Sequence, residues 1–228
     1  MQPLVSTRVS LAWPPAAPFE DTDTLVIQGR TGFFLDLRIF ISGPRVGEID
    51  WASAGVKTFL PDSTPENPKA VFDANIDSRR PPPNPSSPSP TDPPLPDEGS
   101  FTTLPNGDVL ETGSMSNPDA DGAVQPYEEV WRRFPVEEDV RVLILASEDG
   151  KAFIGRVGRW EVALKDATNS TPFLAWRRDQ QEDGWAEIYL VGGEEARWQL
   201  PHLPDEVAGG VGDRVELGGR SWVIKENS

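Results

Sequence analysis

From Phe33 to Ile41 the chain alternates: Phe33, Leu35, Leu37, Ile39 and Ile41 point one way, while Asp36 and Arg38 point the other. A period of two belongs to an extended strand with an apolar and a polar side. The same pattern places half-buried strands at 5–13, 24–28, 46–52, 71–77, 108–115 and 127–134, and in the second half at 140–147, 153–165, 173–178, 185–191, 214–217 and 221–225. Turn pairs fall between them: Asn106-Gly107, Asp149-Gly150, Asp183-Gly184 and Gly218-Gly219. No stretch sustains a helical stripe, so the chain is expected to be all-β and antiparallel. Its 24 prolines and 20 glycines supply corners, and closure into barrels removes the exposed edges such strands would otherwise leave.

One phrase occurs twice: Arg45-Val46-Gly47-Glu48-Ile49-Asp50-Trp51-Ala52 and Arg156-Val157-Gly158-Arg159-Trp160-Glu161-Val162-Ala163. Each lies in a run of short strands that ends in a Trp-centred strand, which points to two tandem barrels of one kind. The Pro-bearing acidic stretch at 134–140 interrupts the alternation, giving an N-terminal barrel over 1–136 and a C-terminal barrel over 137–228. Within the first, 78–98 reads as a mobile loop, because nine of the 16 residues at 81–96 are proline and proline removes the donors a ladder needs. Ser87-Pro88 and Ser89-Pro90 are candidate proline-directed phosphorylation sites there.

Charge and composition exclude several classes of function. With 37 acidic and 21 basic residues the formal charge is -16, which repels nucleic acid and anionic lipid. There is no cysteine, so disulfides, thiolate metal sites and thiol nucleophiles are ruled out and a reducing compartment is expected. No stretch approaches the roughly 18 apolar residues of a membrane-spanning helix, so no membrane insertion is expected, and the location is expected to be cytoplasmic.

The candidate site is a cluster of carboxylates and aromatics. Glu111 and Glu129 lie on strands consecutive in sequence, and alternation puts Tyr127, Glu129, Trp131 and Arg133 on one face. Such a face can line a cavity that recognises a small ligand. The competing reading pairs Glu129 with an arginine of the neighbouring strand and uses Trp131 to fill the barrel floor. Gly155 and Gly158 permit a bend in the strand at 153–165, with Trp160 plugging a core there. The single histidine, His202, is flanked by Pro201 and Pro204 and lacks the partners that catalysis or zinc binding requires. No phosphate loop, nucleophile elbow or metal-binding motif is present, so no catalytic, cofactor or metal residues are expected. The candidate cavity or contact cluster is Trp51, Glu111, Tyr127, Glu129, Trp131, Arg159 and Trp160.

Taken in order, Trp51-Ala52-Ser53-Ala54-Gly55, Glu111-Thr112-Gly113, Tyr127-Glu128-Glu129-Val130-Trp131, Gly158-Arg159-Trp160 and Ser221-Trp222-Val223-Ile224 resemble the fungal HRI family, proteins named for interaction with a yeast casein kinase I. The resemblance spans nearly the whole chain. It implies two lipocalin-like β-barrels, a cytoplasmic location that extends to the nucleus, and no established enzymatic activity. The expectation is therefore a non-enzymatic protein acting through protein contacts, with a casein kinase I as candidate partner. The alternative is a carrier of a small hydrophobic ligand inside a barrel.

Overall fold

The computed structural model describes residues 1–80 and 97–228. The first eight strands are β1 (Leu4–Ala12), β2 (Thr22–Gln28), β3 (Phe33–Phe40), β4 (Ile49–Phe59), β5 (Lys69–Asp77), β6 (Asp97–Thr103), β7 (Val109–Asn117) and β8 (Ala123–Arg133). Each pairs antiparallel with the next, and β1 closes on β8 in a barrel. Alternation did not mark β6, and Asp97 and Glu98 of the expected 78–98 loop belong to it. The Pro-rich residues 81–96, with Ser87 and Ser89, lie outside the described residues. β4 starts later and runs further than 46–52, because Gly47 turns the chain with a φ of 88° before the strand begins.

The second half corrects the expectation of a second closed barrel. Its strands are β9 (Val142–Ser147), β10 (Ala152–Val157), β11 (Trp160–Lys165), β12 (Leu174–Gln181), β13 (Gly184–Val191), β14 (Arg214–Leu217) and β15 (Arg220–Asn227), with a short helix α1 (Gly193–Gln199). They form one open sheet in the order β13-β12-β11-β10-β9-β15-β14. The sheet keeps two edge strands, β13 and β14, and buries its apolar residues without closure because both faces are covered. One lies on the barrel, and the other, which includes Trp176, Trp222, Leu143 and Ile154, is covered by Ala196 of α1 and by Leu200 and Leu203. The stretch at 153–165 is a hairpin, since Gly158 at φ 54° reverses the chain between β10 and β11.

One apolar core joins the halves. Leu25 and Ile27 of β2, Leu35, Leu37 and Ile39 of β3, and Ala52 and Ala54 of β4 pack with Ile144, Phe153, Val157, Val162 and Leu164 of the sheet. Gly155 lets the layers approach: a Cβ there would lie 2.8 Å from a methyl of Leu35 and 2.9 Å from one of Ile27. Two polar latches flank this core. Glu226 of β15 accepts the backbone N–H groups of Arg30 and Thr31 in the β2–β3 turn, each at 2.9 Å. Asp23 of β2 accepts from Arg177 Nη1 (3.1 Å) and from the Tyr189 hydroxyl (2.9 Å). The apolar side of the 33–41 strand therefore faces out of the barrel toward the second sheet, and Asp36 and Arg38 point inward.

Candidate functional site: the barrel interior

The inward residues line a cavity of about 80 Å³, a volume on the scale of several water molecules. β3 contributes Phe34, Asp36 and Arg38, β4 contributes Trp51, Ser53 and Lys57, and β5 contributes Phe72. From β6 come Asp97 and Phe101, from β7 Glu111, and from β8 Tyr127, Glu129 and Trp131. Alternation on each strand does this: the odd-numbered residues of β8 turn inward together, and the bulge between Ala54 and Gly55 in the pairing of β4 with β5 lies just before Lys57.

Ion pairs form the cavity floor. Glu129 Oε1 accepts from Arg8 Nη1 on the adjacent β1 and from Arg38 Nη1, both at 2.7 Å. Arg38 also donates to Asp36 Oδ2 from Nε (3.0 Å) and Nη2 (2.8 Å), and Arg8 Nε donates to Glu20 Oε2 (2.8 Å). Burial pushes the Glu129 carboxyl up, but Arg38 and Arg8 outweigh it and hold the group below the ordinary carboxylate range, ionised at neutral pH. The Arg38 guanidinium stands 4.6 Å from the Trp51 ring centre and 5.4 Å from that of Trp131. Thus Glu129 does pair with an arginine of the neighbouring strand, and Trp131 stands in the cavity wall beside this floor. A second recess, bounded by Trp13, Phe19, Asp50 and Arg79, shares Arg38 with the cavity.

On the neighbouring strand β7, paired directly opposite Glu129, Glu111 accepts from the Tyr127 hydroxyl through Oε1 at 2.9 Å. Gly99 and Gly113 make room for this pair, since a Cβ at either would lie within 3 Å of Glu111 Oε1 or of the Tyr127 hydroxyl. Burial, reinforced by the Glu129 charge, pushes Glu111 up to about 8, so its carboxyl is mostly neutral at pH 7. Burial likewise raises Asp97 to about 6. Lys57 reaches in over the rings of Phe101 (4.2 Å) and Phe72 (4.8 Å), and burial draws its ammonium below the ordinary lysine value. Two buried polar atoms of cavity-lining residues, Asp36 Oδ1 and Trp131 Nε1, have no hydrogen-bond partner among the described residues.

The structure brings together Trp51, Glu111, Tyr127, Glu129 and Trp131 and leaves Arg159 and Trp160 elsewhere. Trp160 opens β11 and packs on Phe134 at 5.5 Å between ring centres, at the seam of barrel and sheet. Arg159 is exposed in the β10–β11 turn and donates to the Gln180 carbonyl (3.0 Å). Their place in the repeated phrase reflects a shared local shape, a left-handed glycine leading into a Trp-bearing strand, and not a shared site. His202 is exposed and meets Trp176 edge-on at 5.0 Å, in the second half of the chain. Arg8, Asp36, Arg38, Lys57 and Asp97 were not singled out from sequence. Only the polar side of β3 signalled any of them.

Among the described residues no helix is long and apolar enough to cross a membrane. No curated protein matches the chain. The crystal structure of the uncharacterized protein YLR301w from Saccharomyces cerevisiae is similar over 100% of both chains, with a TM-score of 0.77 and 18% identity. At that identity the likeness concerns the fold. The sequence pattern of the family described as Protein HRI1 matches residues 4–226, from the first strand of the barrel into the last strand of the sheet. This chain belongs to the HRI1 family.

Proposed function

We propose that the protein binds a small organic molecule in its barrel, one with an apolar body and at least one polar group, and that it carries out no reaction on it. The observation behind this reading is the polarity of the cavity. Buried ion pairs at best roughly break even against apolar packing of the same volume, so a barrel interior of arginines and carboxylates around a void is a poor device for stability. It suits recognition, in which aromatic walls hold a body and a few fixed polar groups orient it. The unpartnered Asp36 Oδ1 and Trp131 Nε1 belong to residues of this wall. A wholly hydrophobic ligand fits less well, because it would leave these groups without solvent or partner. Glu129, which two guanidiniums hold, is poorly placed to serve as a base.

Native mass spectrometry of protein purified from its own host, set against the denatured mass, tests the proposal. A mass excess in the native spectrum alone is the expected result. An unliganded native mass, together with no saturable uptake of small molecules, would overturn it.

A second reading keeps the protein-contact role, with a casein kinase I as partner, in the cytoplasm and nucleus. The family resemblance motivates it, and the observation in its favour is Trp198 on α1, which is 79% exposed, since exposed tryptophans are common anchors of contact surfaces. Biolayer interferometry with a purified casein kinase I decides this: binding that W198A weakens at least tenfold supports it, and no binding by the unmutated protein removes it.

A further inference from the structure

We propose that the cavity takes a small carboxylic acid with a ring-sized apolar body, its carboxylate paired with the Lys57 ammonium and its body against Phe34, Phe72 and Phe101. The proposal rests on the reading that the barrel binds a small molecule, and adds what the molecule is.

Charge bookkeeping around the cavity leads to it. The floor is internally matched, with Arg38 held by Asp36 and Glu129, and Arg8 by Glu129 and Glu20. Lys57 differs: among the described residues it has no hydrogen-bond or ion-pair partner and lies only over two rings. The charged groups that act on it are Glu111 across the cavity and Arg133 at the rim. Arg133 is of like sign. Glu111 is mostly neutral at pH 7, under the combined influence of its burial, Glu129 and Asp97, with Lys57 and the Tyr127 hydroxyl opposing. Among the described residues the half-buried ammonium is thus a cation without a counter-ion, in a partly enclosed space whose aromatic walls strengthen an ion pair relative to open water.

The surroundings define the rest of the ligand. Phe34 meets Phe72 edge-on at 5.5 Å, and Phe72 meets Phe101 at 6.4 Å, so a continuous aromatic wall runs beside the ammonium. That wall is matched by a flat or cyclic body. Ionisation of Glu111 at high pH would give Lys57 an internal counter-ion and set a like charge against the ligand carboxylate. Affinity therefore falls as pH rises past 8.

Isothermal titration calorimetry of the full chain with benzoate, and with benzamide as its neutral isostere, tests this. Expected are one-to-one benzoate binding at pH 7, at least tenfold weaker binding of benzamide, and a loss of at least tenfold in K57M that K57R largely restores. The ratio of affinities at pH 7 and pH 9 should exceed about fivefold in the unmutated protein and be clearly smaller in E111Q, where only the loss of the Lys57 proton remains to weaken binding. Equal binding of benzamide and benzoate, or undiminished benzoate binding by K57M, would overturn the proposal. Should K57M fail to fold, the K57R and E111Q comparisons still decide. If native spectra show a bound neutral or cationic molecule while benzoate fails to bind, the acid is wrong and the binding role stands. If neither a bound mass nor probe binding is found, both fall.

Discussion

Replacing Glu226 with Gln should cost roughly 2–4 kcal/mol of stability, an effect out of proportion to the change of one atom. The residue is 2% exposed, and its side chain joins the last strand of the sheet to the β2–β3 turn of the barrel. Oε1 accepts from the Arg30 N–H (2.9 Å) and the Ser228 hydroxyl (3.2 Å), and Oε2 accepts from the Thr31 N–H (2.9 Å) and hydroxyl (2.7 Å). A carboxamide has one oxygen, so its NH2 must face one of these backbone N–H groups, donor against donor. A buried N–H left unpaired costs about 1–3 kcal/mol, and the remaining bonds lose the charge that strengthened them. Gly29 allows no retreat, because even a Cβ there would overlap the Glu226 carboxylate. Urea unfolding followed by circular dichroism and tryptophan fluorescence measures the loss. With a slope of about 2–3 kcal/mol per molar urea, the midpoint should drop by roughly 1 M. A midpoint within about 0.3 M of the unmutated protein would refute the assignment of Glu226 as the latch between the two sheets.

Glu111 gives a pH prediction. Its folded value of about 8 lies above that of an unfolded glutamate, near 4.3, so the native state holds the proton more tightly. This group's contribution is fully present below pH 4 and is lost as pH rises to 8, a decline on the order of a few kcal/mol. E111Q cannot titrate, so the stability difference between E111Q and the unmutated protein should move in favour of E111Q from pH 5 to pH 8.5. An unchanged difference would contradict the assignment. At the seam of the two sheets, Gly155→Val should destabilise by about 1–3 kcal/mol, because its side chain would press on Leu35 and Ile27. A thermal melt unchanged by G155V would show that the layers are less tightly packed there.

Much of the strand content was legible because alternation is a local property of half-buried strands, and β3, β7 and β8 show it strongly. β6 was missed because Asp97–Thr103 mixes acidic, small and hydroxyl residues next to the proline tract, with Phe101 its one large apolar side chain. The inward face of Tyr127, Glu129 and Trp131 was also legible, and so was the pairing of Glu129 with an arginine from the adjacent strand. Lys57 was not, since the strand was expected to end at Ala52. Nothing local to that segment records that pairing with β5 carries it on to Phe59. The open second sheet was equally hidden. What buries the faces of an open sheet is not written in its strands, and the cover here comes from the barrel, the seven residues of α1 and the segment after it, all distant in sequence or lacking strong patterning.

A period of two says that the sides of a strand differ, without saying which side a barrel encloses. In an isolated small barrel the apolar side must go in, because there is no other apolar environment. Here the second sheet supplies one. Leu25, Ile27, Leu35, Leu37 and Ile39 are each at most 1% exposed against it, and each contributes on the order of 1.5–3 kcal/mol by leaving water. Stability that comes from outside the barrel releases the interior from the duty of packing. The inside can then hold Arg8, Arg38, Glu129, Glu111 and Lys57 around a void, an arrangement that a barrel relying on its interior for stability could not tolerate. Burial and charge at these positions follow from the attached sheet, so the cavity and the sheet are parts of one design: loosening the seam at Gly155 or Glu226 should also loosen the walls that position Lys57.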